Sequence, residues 1–195
     1  MVSQRKKFDR WSTTVPATTQ SLIRLVRDEV VPQITQHGFD WIADYAEGKA
    51  GQVGANVIPL QIRAGDAWPT VEIFFSPKGR PWFRIQFGWV YDGFKRHDGS
   101  VLTRQQATLT DAPIRYSLAK DQGAVSSLFT QFGYNWWVPF PRKKLTSEVN
   151  YANRVLSCAI EMLREPMPPA PKGASDGYIS KNVYMSVNLA FHRRH

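Results

Sequence analysis

The chain has 195 residues, of which 43% are hydrophobic and 13% aromatic, which is enough to build one substantial hydrophobic core. Its single cysteine excludes a disulfide framework, no segment approaches the roughly 18 uninterrupted apolar residues of a membrane span, and the basic start lacks the apolar stretch of a secretory signal. We therefore expect a cytoplasmic protein without membrane contact, whose formal charge of +9 makes nucleic acid a candidate partner.

The positive charge is concentrated in three short runs. Nine of the 25 basic residues lie in them, with only Asp9 as an acidic neighbour, so the rest of the chain carries 16 basic and 15 acidic residues. Such a distribution is typical of flexible arms that bind phosphates, and equally of solvated tails that only keep a protein soluble. The runs consist of Arg5, Lys6, Lys7 and Arg10, of Arg142, Lys143 and Lys144, and of Arg193 and Arg194.

Residues 1–16 are predicted to form a basic N-terminal arm, which ends where Pro16 interrupts regular structure. An amphipathic helix is predicted over residues 18–37, and Gly38 is suited to end it. Pro32 removes a backbone donor within this pattern, so the sequence allows either one kinked helix or two short ones. The apolar stripe of the helix consists of Leu22, Ile23, Val26, Val30 and Ile34.

Alternating apolar residues next predict an antiparallel meander, with strands over residues 39–45 and 56–63 and a long hairpin over residues 68–90. A three-residue loop at residues 78–80 is favoured, because it pairs apolar residues with each other and puts Gly79 where a positive φ is needed. We expect one hairpin face to be core and the outer face to be open to solvent, a helix or a partner. The predicted pairs are Val71 with Phe87, Ile73 with Ile85 and Phe75 with Phe83 on the core face, and Glu72 with Gln86 and Phe74 with Arg84 on the outer face.

The second half of the chain is less regular. One or two edge strands are expected between residues 101 and 117 and a short helix near residues 124–132, before an amphipathic helix over residues 147–165. Residues 167–195 are predicted to form a proline-rich spacer and a final strand that pairs with a sheet edge of this chain or of another subunit. Residues 17–166 are thus predicted to be a single α+β domain, with a mainly antiparallel sheet packed by two principal helices. The core face of the second helix consists of Val149, Ala152, Val155, Leu156, Ala159, Ile160 and Leu163.

No catalytic or cofactor signature stands out, so we expect a non-catalytic protein without a cofactor. The best metal candidate is the cluster of Asp92, His97 and Asp98, which offers two carboxylates and an imidazole in one short stretch. Because both aspartates precede glycine, this stretch is favoured as a turn. Residues 48–54 lack the ending of a phosphate-binding loop, and the overlapping Glu-Gly-Lys at 47–49 is a poor setting for a nuclease strand.

The first functional hypothesis is a binding or accessory protein that contacts DNA or RNA with basic arms and neighbouring aromatics. Lysine and arginine neutralise phosphates, and tryptophan offers a surface on which bases stack. The candidate residues are Arg5, Lys6, Lys7, Arg10, Lys78, Arg80, Trp82, Arg84, Trp136, Trp137, Arg142, Lys143 and Lys144. Two alternatives stay open: a protein-interaction or homo-oligomerising module that uses the outer hairpin face or the final strand, and a metal-dependent hydrolase at the aspartate and histidine cluster.

Overall fold

The computed structural model describes residues 3–45, 53–95, 100–112, 115–117, 132–133 and 145–164, and these form an α+β fold, as predicted. The helices are α1 (Gln4–Ser12), α2 (Ala17–Leu25), a π-helical turn (Val26–Val30), α3 (Val31–Thr35) and α4 (Leu145–Arg164). The strands are β1 (Asp40–Trp41), β2 (Val57–Gln61), β3 (Ala67–Phe75), β4 (Trp82–Tyr91), β5 (Phe94–Lys95), β6 (Val101–Leu102), β7 (Arg115–Ser117) and β8 (Phe132–Gly133).

The main sheet is antiparallel, with the strand order β1-β2-β3-β4-β7. Strand β8 also pairs with β4, at residues 82–83, whereas β7 pairs with β4 at residues 86–88. The long β3–β4 hairpin is therefore flanked on both sides and forms the centre of the sheet. Strands β5 and β6 pair with each other in a separate ribbon.

The hairpin has the register that the apolar pattern predicts. Gly79 adopts a φ of 67° in the turn, the left-handed conformation that the expected loop requires. The core-face residues are fully buried and each contributes roughly 1.5–3 kcal/mol through removal of its apolar surface from water. The observed pairs are Val71 with Phe87, Ile73 with Ile85, Phe75 with Phe83, Glu72 with Gln86, and Phe74 with Arg84.

Two principal helical segments complete the core, as predicted. The run from α2 to α3 and helix α4 contact each other, and α4 packs on strands β3 and β4. Their apolar stripes and the core face of the hairpin form one continuous cluster. The buried helical residues in this cluster are Leu22, Ile23, Val26, Val30, Ile34, Val149, Ala152, Leu156, Ala159, Ile160 and Leu163.

The first of these helical segments continues through Pro32 without a break. The backbone N–H of Val31 bonds to the carbonyl of Val26, five residues back, so the turn directly before the proline is π-helical. Proline has no N–H and its ring crowds the carbonyl four residues earlier in an α-helix, and the wider π turn relieves both problems. The sequence left one kinked helix and two short ones open, and the structure has one helical run over residues 17–35.

The N-terminal segment differs from the flexible arm that its charge predicts. Residues Gln4–Ser12 form a helix, and Phe8 on its inner side is 0% exposed. One turn earlier, the side-chain amide of Gln4 donates hydrogen bonds to the backbone carbonyls of Gly54 and Val57. The prediction of an arm fails for this helix because Gln4 and Phe8, at i and i+4, supply an inward-facing side among many charges.

The outer face of the hairpin is covered at its centre, contrary to our expectation. Glu72 and Gln86 are 1% and 3% exposed. The backbone N–H of Leu109 and the hydroxyl of Tyr45 both donate to Oε1 of Glu72, so Tyr45 and the segment around Leu109 lie over this face. Alternation along a strand shows which side chains share a face, but it does not show whether a distant segment covers that face.

The remaining predictions have mixed outcomes. Strand β1 is limited to Asp40–Trp41 within the predicted 39–45, and β7 lies where an edge strand was expected. The predicted helix near 124–132, apart from residue 132 in β8, and the spacer and strand at 167–195 lie outside the described residues. None of the helices that the structure describes is long and apolar enough to cross a membrane.

Candidate nucleic-acid interface

The turn of the hairpin is fixed against the link between α1 and α2. Oγ1 of Thr19 donates a hydrogen bond of 2.5 Å to the carbonyl of Gly79. Gly79 also fits so closely against the link that a Cβ atom added to it would lie 2.9 Å from Cδ of Pro16. We call residues 74–84, the turn and its adjoining strand residues, the turn end of the hairpin.

Helix α1 lies beside the turn end through aromatic contacts. The ring of Phe75 lies 5.6 Å from the ring of Phe8 and 6.2 Å from the ring of Trp11, between centroids. These contacts use one side of α1, and its other residues include exposed cations. The exposed cations that α1 and the turn thereby bring to one region are Lys6, Lys7, Arg10, Lys78 and Arg80.

Most of these cations are not paired with a carboxylate of the described residues. Lys6, Lys7, Arg10 and Lys78 form no salt bridge with any residue that the structure describes. An exposed cation without a carboxylate partner keeps its full attraction for an external anion.

Strand β8 brings a further part of the chain to the turn end. Gly133 lies opposite Trp82 in the β4–β8 pair. Residues 134–144, which follow Gly133 in the sequence and include Trp136 and Trp137, lie outside the described residues.

Helix α4 returns to the same end of the molecule. Its Asn153 side chain bonds to the backbone of Glu29, and Arg164, further along α4, lies 2.7 Å from Nδ1 of His37. Asn153 precedes Arg164 in α4, and their partners Glu29 and His37 follow in the same order, so α4 runs parallel to the α2–α3 segment. Helix α4 also contacts α2, whose Thr19 bonds to Gly79, and strand β8, which pairs with Trp82. Arg142, Lys143 and Lys144 directly precede Leu145 in the sequence and lie outside the described residues.

Three side chains of the outer face are half-buried at the turn end. The guanidinium of Arg84 lies over the ring of Phe74, 5.5 Å from its centroid. Trp82 belongs to the same face, because its neighbour Phe83 points into the core with 0% exposure. Gln86, which follows Arg84 by two residues on β4, is buried. Within the turn end Ser76 is 1% exposed, so the partly accessible side chains of the outer face there are Phe74, Trp82 and Arg84.

The cations at the opposite end of the hairpin are paired with carboxylates. Arg63 lies 2.9 Å from Asp44, and Arg104 lies 3.1 Å from Asp92. The hydrogen bond from Arg63 holds the pKa of Asp44 below its ordinary value. Both guanidinium groups lie over the ring of Trp68, at 5.1 and 5.2 Å, and leave this side chain 8% exposed. The positive charges of Arg63 and Arg104 at this end of the hairpin are therefore largely balanced by those carboxylates.

Arg5 is separated from the other cations of α1 by its own contact. Its guanidinium and that of Arg27 lie over the ring of Trp41, at 5.0 and 5.5 Å from the centroid. Arg27 also forms a 3.3 Å salt bridge with Asp9. Arg5 thus packs on the sheet edge, and Trp41 is a cation-contacting residue that the sequence patterns did not single out.

Of the three residues in the proposed metal cluster, the structure describes Asp92. The backbone N–H of Arg104 donates to Oδ1 of Asp92 at 2.7 Å, so Asp92 organises the neighbouring loop. His97 and Asp98 lie outside the described residues, as do residues 47–49. Within the part of the chain that the structure describes, no three His, Cys, Asp or Glu residues are grouped so that they could hold a metal ion.

A buried polar cluster on the outer face was not anticipated from the sequence. Glu72 accepts hydrogen bonds from Tyr45 and from the backbone of Leu109. Burial, and then the negative charge of Glu72, raise the pKa of Tyr45 well above its ordinary value. The sequence signal was an acidic residue opposite Gln86 in the middle of a long strand, which we assigned to an open face. The cluster holds two segments on the sheet, and its burial keeps it away from solutes.

Comparison of the chain with protein-family models, with curated proteins and with solved structures finds no match. A functional proposal for this protein therefore rests on its own residues.

Proposed function

We propose that this protein is a non-catalytic binding or accessory protein that contacts nucleic acid through the turn end and helix α1. The observation that carries the proposal is the fixed contact of Gly79 with Pro16 and Thr19, which joins the turn cations to the basic helix. Cations held by a rigid scaffold bind a polyanion more tightly than cations on a flexible tail, since less conformational entropy is lost on binding. The phosphate backbone is the polyanion that such a surface fits best.

A difference in cation pairing between the two ends of the hairpin supports nucleic acid as the ligand of the turn end. Arg63 and Arg104, at the other end of the hairpin, are matched by Asp44 and Asp92, whereas Lys78 has no such partner among the described residues. The sequence adds Arg142, Lys143 and Lys144 immediately before the first residue of α4. We include these three residues, with Trp136 and Trp137, in the proposed interface on the basis of their sequence positions.

The other two hypotheses have less support. The protein-interaction module was expected to use the outer hairpin face, whose centre is buried around Glu72 and Gln86, or the final strand at 167–195. The hydrolase needs Asp92, which is engaged with Arg104. We also propose that the protein acts in the reducing cytoplasm, where nucleic acid is abundant, because its single cysteine excludes a disulfide framework.

Fluorescence anisotropy with labelled DNA and RNA at several salt concentrations tests the proposal. We expect binding that weakens steeply with salt, because each phosphate contact contributes about 0.7–0.9 to the slope of log affinity against log salt. The double variant Lys78→Gln/Arg80→Gln should bind less tightly and with a slope reduced by about one to two units.

The matched control is Arg63→Gln/Arg104→Gln, which removes the same charge from the opposite end of the hairpin. We expect this control to bind nearly as well as the wild type, since those cations are already paired with carboxylates. Absence of binding at low salt would refute the proposal. Equal losses in the two double variants would show that net charge, and not this surface, governs binding.

A further inference from the structure

The turn end combines exposed cations with an accessible tryptophan on the outer face of a sheet. We infer that the nucleic acid bound there is single-stranded, with one base stacked on Trp82 and the adjoining phosphates on Lys78 and Arg80. This inference rests on the proposed function and specifies its ligand. It concerns the chemistry that single-stranded DNA and RNA share, namely unstacked bases on a flexible polyanion.

The neighbours of Trp82 in the sheet have small side chains or none. On one side, Trp82 lies opposite Gly133 of β8, which has no side chain. On the other side, the backbone N–H of Ser76 bonds to the carbonyl of Trp82, so its neighbour there has only a small side chain. Ser76 itself is 1% exposed, whereas Trp82 is half-buried, so part of the Trp82 side chain stays exposed to solvent.

The cations are placed to hold the backbone of a strand whose base lies on Trp82. Arg80 and Arg84 flank Trp82 at two positions to either side along the chain, and the guanidinium of Arg84 lies over the ring of Phe74. The turn end therefore offers alternating flat and charged groups, which is the arrangement that binds single strands with little sequence preference.

A duplex does not fit this arrangement as well. Its bases are stacked on each other, so they reach Trp82 only if the helix is opened, which costs a few kcal/mol for each step. A duplex would use the cations alone. The surface should therefore bind a single strand more tightly than a duplex, and the difference should equal the stacking contribution of Trp82.

Trp68 provides a natural contrast on the same face of the same hairpin. Arg63 and Arg104 cover its ring, and it is 8% exposed. A base has no access to such a ring, although its residue type and its arginine neighbours resemble those of Trp82. Trp68→Leu is therefore the matched control for Trp82→Leu.

The experiment measures the affinity of the full chain for single-stranded DNA, single-stranded RNA and duplex DNA, each of about 12 nucleotides per strand. Wild-type protein should bind both single strands more tightly than the duplex at the same salt concentration. Trp82→Leu should weaken single-strand binding by about 5-fold to 100-fold, the range expected for one lost stacking contact, and leave duplex binding nearly unchanged. Trp82→Phe should retain most of the affinity, and Trp68→Leu should retain the wild-type preference.

Ultraviolet crosslinking of wild-type protein to the single-stranded probe gives a second measurement that does not depend on the folding of a variant. The crosslinked peptide should contain Trp82. The inference is overturned if crosslinks form only elsewhere, if Trp82→Leu weakens single-strand and duplex binding equally, or if the wild type prefers the duplex. Failure of the proposed function looks different, because then no probe binds at low salt. Unequal affinity for the DNA and RNA strands would identify which of the two the surface favours.

Discussion

Asn153 of α4 donates a hydrogen bond from Nδ2 to the backbone carbonyl of Glu29, at 3.3 Å. Glu29 lies in the π-helical turn that precedes Pro32, where the regular spacing of helical hydrogen bonds is interrupted. Irregular turns of this kind leave carbonyls in need of other donors. One polar side chain of α4 thus meets the irregular turn of the other principal helix, and this contact helps to fix how the two helices pack.

The contact predicts an effect of Asn153→Ala on stability. Loss of one partly buried hydrogen bond should lower the free energy of unfolding by about 1 kcal/mol, measured by urea denaturation. Ser157→Ala, at an exposed position one turn further along α4, is the control and should change it by less than about 0.5 kcal/mol. Equal effects of the two substitutions would contradict a specific role of the Asn153 side chain.

The turn glycine allows the cost of a left-handed backbone to be separated from the cost of a steric clash. Gly79 and Gly65 have φ values of 67° and 69°, but a Cβ atom would meet Pro16 at Gly79 and nothing within 4 Å at Gly65. Gly65→Ala should cost about 1–2 kcal/mol from conformation alone, and Gly79→Ala at least about 1 kcal/mol more. Thermal or urea denaturation measures both. Similar losses would show that the link at Pro16 moves aside easily.

The buried carboxylate predicts a coupling between Tyr45 and Glu72. Tyr45→Phe removes one donor to Glu72 and should destabilise the protein by about 1–3 kcal/mol. In a double-mutant cycle with Glu72→Gln, the two effects should be non-additive by about 0.5–3 kcal/mol, because the residues share one hydrogen bond. Tyr116→Phe is the control, since the Tyr116 hydroxyl has no hydrogen bond to the residues that the structure describes. Additive effects would argue against the hydrogen bond.

The raised pKa of Tyr45 predicts how stability changes at alkaline pH. The phenol of the folded protein keeps its proton above the ordinary pKa of 10.0, whereas the phenol of the unfolded chain loses it there. The unfolded state therefore binds fewer protons, and stability falls as the pH rises above about 10. Wild-type protein should lose stability more steeply than Tyr45→Phe over this range, as measured by urea denaturation from about pH 8 to 11. Parallel pH profiles would contradict the assigned burial.

Sequence reasoning succeeded where the determining interactions are local. The hairpin register follows from the alternation of Val71, Ile73 and Phe75 and from the short loop at Gly79, because a shift by one residue would expose a whole apolar face. The helical stripes of α2 and α4 were equally readable, since a period of 3.6 residues persists over several turns. The antiparallel α+β class follows from these elements together.

Tertiary structure alone decided which of these surfaces are accessible. Phe8 turns a basic segment into a packed helix, and the segment around Leu109 covers Glu72, because burial depends on partners that are distant along the chain. The same holds for the candidate interface: the sequence identified Lys78 and Arg80 as cations, and only the packing of Gly79, between them, against Pro16 brought them close to helix α1. Residue type and periodicity are properties of the sequence, whereas convergence of charge on one surface is a property of the fold.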